Sequence, residues 1–349
     1  MCRMLILLLI AALLCGCAAG ETAVTAVAEP ETTASAATEP APTEPVRSFR
    51  VEGTELLDPG GNPFLIRGVN HPHRWFPEQD ETALRAMAEL GCNTVRIVCG
   101  CGILYEKDTV ESLNALTDLC KELGMVAILE VHDITCEDHP DKLAQVVDYW
   151  IEVREALIGR EEWVILNIAN EWKGQRWGRE WSRAYCAQIP RLREAGIRNA
   201  ILVDTAGGCQ YGESLMEFGP AVLDADPERN TFFAVHLYQA AGRDPATIEK
   251  NLRSGRDAGL CVLVGEFGPS HQGHDVDEAY ILEYCHREGI GYLGWSWAGN
   301  ASPNEQLDLS LTWDGSKLTQ WGEFLFFSEF GIRQTSKDCI TFASFSNIG

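Results

Sequence analysis

Eight short apolar runs recur along the chain at intervals of roughly thirty residues, and this repeat constrains the fold more than any other feature of the sequence. The runs are rich in the branched and aromatic residues that favour strands, and amphipathic stretches of helical period lie between them. Eight repeats of a strand followed by a helix predict an α/β fold, a single (β/α)8 TIM barrel. The runs are FLIRGVN (64–70), TVRIVC (94–99), VAILEVHD (126–133), WVILNIANE (163–171), AILVDTAG (200–207), TFFAVHLY (231–238), VLVGEFG (262–268) and YLGWSWAG (292–299).

An open, doubly wound parallel sheet would show the same alternation of strands and helices. That fold usually carries a glycine-rich phosphate loop after its first strand, and the segment that follows the first run here, HPHRWF, has no glycine. The barrel is therefore favoured, and residues 48–349 have a length that suits one barrel domain. The clearest amphipathic stretches, several of which end in glycine, are 80–91, 108–124, 139–159 and 177–196.

The first 47 residues do not have the composition of a folded domain. Residues 1–16 contain one basic residue and an apolar run too short to cross a bilayer, which is typical of an export signal. LCGC resembles a bacterial lipobox, which implies cleavage before Cys17 and a lipid on its sulfur; an ordinary secretory signal is the alternative. Residues 17–47 are rich in Ala, Thr, Glu and Pro and predict a disordered linker. We therefore expect a protein on the extracellular face of a bacterial cell, lipid-anchored to the membrane or secreted.

The formal net charge of −23 argues against nucleic acid and anionic membranes as partners, so membrane contact is expected only through a lipid anchor. We expect a monomer. Of the 13 cysteines, ten follow residue 47, and none of them forms a CxxC pair of the kind that binds metals. Their spacing leaves open whether they are free or partly paired in disulfides.

Polar, titratable and aromatic residues stand at the carboxyl ends of the predicted strands. In a (β/α)8 barrel these ends form one face, where active sites lie. A layer that only stabilised the barrel would be apolar, so this convergence predicts a functional site. The residues are Asn70, His71, His73, Arg96, His132, Asp133, Asn170, Glu171, His236, Tyr238, Glu266, Trp295 and Trp297.

Two of these residues, Glu171 and Glu266, end the fourth and seventh runs. A pair of carboxyl groups suits glycoside hydrolysis, in which one protonates the leaving oxygen and the other attacks the sugar or activates water. Aromatic rings beside such a pair stack on the apolar faces of sugars. His132 and His236 are a possible metal pair, but no convincing third ligand accompanies them, so we expect neither a metal nor a cofactor.

The ordered set of motifs resembles glycoside hydrolase family 5, and within it the bacterial endo-β-1,4-mannanases. The similarity runs from Ile66 to about Trp321. It departs from the family pattern at Ala298 and in the turn GPSHQG after Glu266, and both positions bear on contacts with the sugar chain. The motifs include RGVNHPHRWF, NTVRIV, AILEVHD, ILNIANEW, DADPERNTFFAVHLY, VLVGEFG, DVDEA and GWSWAGN.

The resemblance implies a retaining enzyme that cleaves internal β-1,4 bonds of mannan, galactomannan or glucomannan without a cofactor. It implies that Glu171 is the acid/base and Glu266 the nucleophile. The remaining roles implied are sugar 2-hydroxyl binding by Asn170, support of the nucleophile by Arg96 and Tyr238, lining of the cleaved-bond subsites by His132 and His236, and an aromatic floor from Trp295. Trp297 is a second candidate; of the two rings, one is expected to face the cleft and the other to pack against helices, and Trp295 is favoured for the cleft.

Alternatives remain at this stage. An endo-β-1,4-glucanase on the same scaffold differs in recognition of one hydroxyl group. A second alternative is a surface glycan-binding protein without activity, although such a protein has no need of both glutamates. A metal hydrolase is the third alternative. Trp75 and Trp172 either line subsites or pack loops, and His271 and His274 either border the cleft or lie in solvent.

Overall fold

The computed structural model describes residues 47–343, with the side chains of Ile340 and Ala343 left out. The predicted signal peptide (1–16), Cys17 and almost all of the predicted linker (17–47) lie outside the described residues. The proposed domain boundaries therefore stay predictions. No helix within 47–343 is both long enough and apolar enough to cross a membrane.

Eight parallel strands close into a barrel, as the repeat of apolar runs predicts. The barrel order is β12-β3-β4-β5-β6-β7-β8-β9, with β12 paired to both β9 and β3. A hairpin of β1 and β2 covers the amino-terminal end of the barrel, where Asn230 bonds to the backbone of Phe49 and Val51. The strands are β1 (Arg50–Glu52), β2 (Glu55–Leu57), β3 (Arg67–His71), β4 (Thr94–Cys99), β5 (Val126–Val131), β6 (Val164–Asn167), β7 (Ile201–Asp204), β8 (Thr231–Leu237), β9 (Val262–Phe267), β10 (Ser270–His271), β11 (His274–Asp275) and β12 (Gly291–Gly294).

The helices surround the barrel and bury their apolar faces against it. The four amphipathic stretches picked out from the sequence become α1 to α4. Their ends follow local capping rules: Thr109 and Ser112 form a reciprocal capping box at the start of α2, and Gly289, at φ +65°, ends α7 in the left-handed region. The helices are α1 (Asp80–Glu89), α2 (Val110–Glu122), α3 (Pro140–Glu152), α4 (Gly178–Glu194), α5 (Leu215–Ala225), α6 (Pro245–Asp257), α7 (Glu278–Glu288), α8 (Gln320–Phe327), α9 (Ile332–Thr335) and α10 (Ile340–Ala343).

Most barrel strands are shorter than their apolar runs, and β6 and β12 end well before the site residues of their runs. β6 ends at Asn167, which is the last residue of that strand to pair with β5, and β12 ends at Gly294. The residues beyond these ends, including Glu171 and Trp295, lie in loops at the carboxyl end of the barrel. The chain is therefore free to turn there, and the alternation of a strand does not govern where these side chains point.

The cysteines of the described residues are free thiols. Eight of the ten are buried, and they pack as small apolar side chains in the barrel and its helices. Cys186 is half-buried and Cys136 is exposed. This resolves, for residues 47–343, the choice between free and bridged cysteines that the sequence leaves open.

Candidate active site

A cleft of about 680 Å³ opens at the carboxyl end of the barrel, where the predicted site residues converge. A second cavity, of about 640 Å³, lies at the opposite end beside the β1–β2 hairpin, and none of the predicted site residues lines it. The chemistry therefore belongs to the first cleft. The predicted residues that line it are His132, Asn170, Glu171, Tyr238, Glu266 and Trp295.

Glu266 reaches the cleft floor from β9, next to an irregularity in the sheet. The register between β8 and β9 shifts at Gly265, so that Val264 faces Val235 but Glu266 faces His236. Such a bulge redirects the side chain that follows it. A side chain at position 265 would clash, because its Cβ would lie 2.9 Å from Nε2 of His236.

Both carboxylate oxygens of Glu266 accept hydrogen bonds. Arg96 donates to Oε1 over 2.8 Å, and the Tyr238 hydroxyl donates to Oε2 over 2.9 Å. Both donors are buried beneath or beside the cleft. The carboxylate is thus fixed in one orientation by one hydrogen bond to each oxygen, which leaves further lone pairs free for attack.

Arg96 is fully buried on β4, and its guanidinium connects several strands of the barrel. It donates to Oδ1 of Asn167 over 2.8 Å, to Oδ1 of Asn70 over 2.9 Å and to Oδ1 of Asn170 over 2.7 Å. Burial alone lowers the pKa of a guanidinium, but the nearby carboxylates of Glu130, Asp204 and Glu266 raise that of Arg96 above its ordinary value. Arg96 therefore stays charged and balances part of the buried negative charge.

Glu171 lies four residues beyond the end of β6 in a left-handed backbone conformation, with φ at +46°. Its N–H donates to Oδ2 of Asp204 over 2.9 Å, and its Oε1 lies 2.9 Å from Nδ1 of His236. The Sγ of Cys136 lies 3.9 Å from the other oxygen, Oε2. Backbone and side chain of Glu171 are thus held by different partners.

The two glutamates lie close together. A carboxylate oxygen of Glu171, a ring nitrogen of His236 and a carboxylate oxygen of Glu266 are all within 4.8 Å of one another. Retaining glycosidases place their carboxyl groups about 5–5.5 Å apart, whereas inverting enzymes need about 6.5–9.5 Å to admit a water molecule. The spacing fits direct attack by one carboxylate on the sugar.

The surroundings of the two carboxyl groups give them different pKa values. Burial and the negative charges of Glu266 and Asp204 raise the pKa of Glu171 well above its ordinary value. Burial also raises the pKa of Glu266, to about 7, but Arg96 opposes this rise. His236 is neutral, because burial and the charge of Arg96 depress its pKa. Glu171 is therefore the group that holds a proton, and Glu266 ionises first.

Aromatic rings line one side of the cleft. Trp295 is stacked on His132, with ring centroids 5.6 Å apart, and Trp75 meets both rings edge-on. Trp75 is 38% exposed, so its face is open to the cleft. Of the loop residues, His271 borders the cleft and packs on Tyr238, whereas His274 is exposed and does not line it. These rings offer stacking surfaces for pyranose sugars.

Trp297 is not a cleft residue, so that part of the prediction is wrong. It is fully buried, donates from Nε1 to the carbonyl of Trp313 and packs edge-on against Phe326 of α8. The reason is that the chain leaves β12 at Gly294, after which the packing of the loop decides which ring turns inward. Trp172 is buried as well and packs against Tyr185 in the core.

Sequence reasoning missed two buried carboxylates that surround Arg96. Glu130 on β5 lies 3.8 Å from Nη1 of Arg96 and 2.9 Å from Nδ1 of His132. Asp204, the last residue of β7, lies 3.5 Å from Nη2 of Arg96. A single carboxylate within each of the runs AILEV and AILVD was the available signal, because such a group needs a partner when both faces of the strand are buried.

Two clusters of the described residues have the composition of a metal site. However, Nη1 of Arg96 lies 2.8 Å from Glu266 and its Nη2 lies 3.5 Å from Asp204, so a divalent cation in either cluster would face a buried guanidinium. Burial also raises the pKa of the Cys209 thiol, which bonds to the carbonyl of Ala234. The geometry therefore favours chemistry by the carboxyl groups alone. The clusters are Glu171–His236–Glu266 and Asp204–Cys209–His236.

The chain is similar in sequence to a known family and to proteins of known activity. The model of the cellulase family, described as glycosyl hydrolase family 5, matches residues 57–301. A mannan endo-1,4-beta-mannosidase from Salipaludibacillus agaradhaerens is 44% identical over 294 residues, which cover 84% of this chain and 96% of that protein. A protein of the same name from Cellvibrio japonicus is 37% identical, over 84% of this chain and 69% of its own length.

The fold comparison agrees with these matches. The mannohexaose complex of a beta-mannanase from Thermomonospora fusca superposes with a TM-score of 0.79 at 34% sequence identity. The alignment covers 85% of this chain and 100% of that one.

Proposed function

The chain belongs to glycosyl hydrolase family 5, and we propose that it is a retaining endo-β-1,4-mannanase. Its substrates are mannan, galactomannan or glucomannan, cut at internal β-1,4-mannosidic bonds. The observation that carries the mechanism is the pair Glu171 and Glu266, whose oxygens lie within 4.8 Å of one another in opposite electrostatic surroundings. The substrate class rests on the two relatives named mannan endo-1,4-beta-mannosidase, at 44% and 37% identity.

In the first step, a carboxylate oxygen of Glu266 attacks the anomeric carbon of the bound sugar. The bond between that carbon and the glycosidic oxygen breaks, and Glu171 transfers its proton to the departing oxygen. Arg96 and Tyr238 keep the attacking carboxylate ionised and oriented. The product of this step is a glycosyl ester on Glu266.

In the second step, Glu171 acts as a base. It removes a proton from a water molecule, the water oxygen attacks the anomeric carbon, and the ester bond to Glu266 breaks. Glu171 has then regained its proton, and both groups return to their starting states. The sugar keeps its anomeric configuration because two inversions follow each other.

The proposal is tested by release of reducing sugar from mannan and from carboxymethyl cellulose, with the purified segment 48–349. Glu266→Ala serves as the blank. We expect Glu171→Gln and Glu266→Gln to fold and to lose at least about 10³-fold in kcat, because each step then lacks its reacting group. Sugar release by Glu266→Gln at the wild-type rate would remove Glu266 from the role of nucleophile.

The same assay separates the rival functions. Release mainly from carboxymethyl cellulose would make the protein an endo-β-1,4-glucanase with the same two glutamates. Release from neither polymer, with mannan still bound, would make it a surface glycan-binding protein. Activity that a chelator abolishes would support a metal hydrolase.

We also propose that the protein is exported and anchored through a lipid on Cys17, or secreted, and that it acts as a monomer. The support for export is the sequence of residues 1–17 alone. Cell fractionation of the full chain beside Cys17→Ser tests it: an anchored protein moves from the membrane fraction to the medium when Cys17 is replaced. A distribution unchanged by Cys17→Ser would leave secretion by an ordinary signal or no export.

A further inference from the structure

Asp204 contacts the acid/base residue directly and also lies near it through His236. Its Oδ2 accepts a hydrogen bond of 2.9 Å from the backbone N–H of Glu171. The same oxygen lies 3.5 Å from Nε2 of His236, whose other nitrogen, Nδ1, lies 2.9 Å from Oε1 of Glu171. Backbone anchor, imidazole and carboxyl group thus form a closed ring of contacts around Glu171.

Asp204 also contacts Arg96 and Asn167, and His236 also lies near Glu266. Asp204 and His236 are fully buried, and Nε2 of His236 has no hydrogen-bond partner among residues 47–343. The other oxygen of Asp204 accepts from Nδ2 of Asn167 over 3.0 Å. A buried carboxylate is costly unless it is bonded and paired, and Asp204 meets this need through Asn167, the N–H of Glu171 and the charge of Arg96.

The backbone of Glu171 also needs an anchor. Its φ of +46° is unfavourable for a residue with a side chain, and such a conformation persists only where the surroundings fix it. The bond from the Glu171 N–H to Asp204 is such a fixed point, since β7 is held in the barrel by β6 and β8. Without it, the N–H of Glu171 would lose its acceptor.

We propose that Asp204 is the positioning residue of the general acid/base: it fixes the backbone of Glu171 by a hydrogen bond, and it acts on the orientation of the carboxyl group through an electrostatic contact with His236 that is not a hydrogen bond. Asp204 does not touch the reacting atoms. The inference rests on the proposed function of Glu171, and it adds a residue whose hydrogen bond is to the acid/base, although the same oxygen also lies 3.5 Å from Nη2 of Arg96. The hydrogen bonds to the nucleophile come from Arg96 and Tyr238 and not from Asp204.

The leaving group of the substrate provides the test. A sugar hydroxyl is a poor leaving group and needs protonation, whereas dinitrophenolate departs without it. In Asp204→Asn we expect kcat/KM on mannan to fall at least about tenfold, and kcat/KM on dinitrophenyl β-mannobioside to change less than about threefold. Added azide should raise kcat of the variant on the dinitrophenyl substrate, because azide attacks the glycosyl ester without a general base.

Glu130→Gln is the matched control. Glu130 is an equally buried carboxylate beside Arg96, but it contacts His132 and has no contact with Glu171. We expect it to lower kcat/KM on both substrates by the same factor. Equal losses on both substrates in Asp204→Asn, or no loss on either, would overturn the proposal.

His236→Gln covers the case in which Asp204→Asn does not fold, as judged by circular dichroism. This variant removes the imidazole that lies between Asp204 and the carboxyl group of Glu171. Its kcat/KM should fall more on mannan than on the dinitrophenyl substrate. An equal fall on both substrates would show that His236 does not connect Asp204 to Glu171. The wild-type protein, assayed on mannan, distinguishes a failure of the proposed function from a failure of the role of Asp204. If it releases no sugar from mannan, the proposed function fails; if it does and the variants show no leaving-group dependence, only the role of Asp204 fails.

Discussion

The hydroxyl of Tyr238 donates a 2.9 Å hydrogen bond to Oε2 of Glu266, the carboxylate oxygen that Arg96 does not bind. Tyr238→Phe keeps the ring and removes this donor. A hydrogen bond to a charged group contributes about 1.5–3 kcal/mol, so kcat/KM on mannan should fall by roughly 10- to 100-fold. Steady-state kinetics on mannan, with the unfolding temperature as a check on folding, measure the effect.

Tyr280→Phe is the control for this substitution. The Tyr280 hydroxyl also bonds a glutamate, Glu249, but on the outer helices and away from the cleft. Activity should not change in this variant. If Tyr238→Phe were as active as Tyr280→Phe, the hydroxyl of Tyr238 would have no part in holding the nucleophile.

The pH dependence of kcat/KM follows from the two carboxyl groups. Glu266 must be ionised to attack, and its pKa is about 7, so activity should rise as the pH increases towards 7. Glu171 must be protonated, and its pKa is raised well above the ordinary value, so activity should fall only on the alkaline side. Initial rates from about pH 4 to about pH 11 would give both limbs.

The dinitrophenyl substrate assigns the alkaline limb. The leaving group, dinitrophenolate, departs without a proton. The fall in kcat/KM at alkaline pH should therefore be weak with this substrate and absent in Glu171→Gln. An alkaline limb of full size in Glu171→Gln would mean that another group, such as Tyr238, controls it.

The barrel was predictable from sequence because every strand of a closed parallel barrel is buried on both faces and reads as an apolar run. β4 has the same bounds as its run, Thr94–Cys99. Strand ends were less predictable: β6 ends at Asn167, although the run continues to Glu171. Whether a strand continues depends on the neighbouring strand, and the local sequence contains no information about that neighbour.

Residues at the ends of the apolar runs can be picked out from the sequence, and Glu171 and Glu266 are predicted in this way. Asp204 and Glu130 were missed because their importance lies in contacts with Arg96, which comes from another strand. Trp297 was misplaced because a strand pattern was extended into a loop. Contacts between distant segments are set by the closed barrel, not by spacing along the chain.

Cys136 predicts a specific sensitivity to thiol reagents. It is exposed, lines the cleft, and its Sγ lies 3.9 Å from Oε2 of Glu171. Partial desolvation by the walls of the cleft and the neighbouring carboxyl group of Glu171 raise the pKa of this thiol to about 11, so its reaction with maleimide should be slow at neutral pH and faster at alkaline pH. The adduct would fill the space beside the acid/base group, and most of the activity should be lost.

Mannohexaose should protect against this inactivation, because it would occupy the same cleft. Cys136→Ser should resist the reagent, whereas Cys186→Ser, which removes a half-buried thiol outside the cleft, should remain as sensitive as the wild type. Inactivation of Cys136→Ser at the wild-type rate would place the reactive thiol elsewhere.

His73 predicts a pH-dependent part of the stability. Its Nδ1 lies 2.7 Å from Oδ2 of Asp80 and its Nε2 lies 3.1 Å from Oδ1 of Asp108. Burial alone lowers the pKa of an imidazole, but these two carboxylates raise that of His73 to about 9. The folded protein therefore binds this proton more tightly than the unfolded chain does, whose histidine has the ordinary pKa of about 6.5.

Protonated His73 stabilises the folded protein at low pH. The stabilisation is complete below about pH 6.5 and is lost as the pH rises through about 9; at 1.36 kcal/mol per pH unit it amounts to about 3 kcal/mol. His73→Gln should therefore lower the free energy of unfolding more at about pH 6 than at about pH 9.5, as measured by urea denaturation. His274→Gln, on the exposed strand β11, should change it at neither pH. A loss in His73→Gln that is equal at both pH values would show that the histidine contributes by packing and not by its charge between the two aspartates.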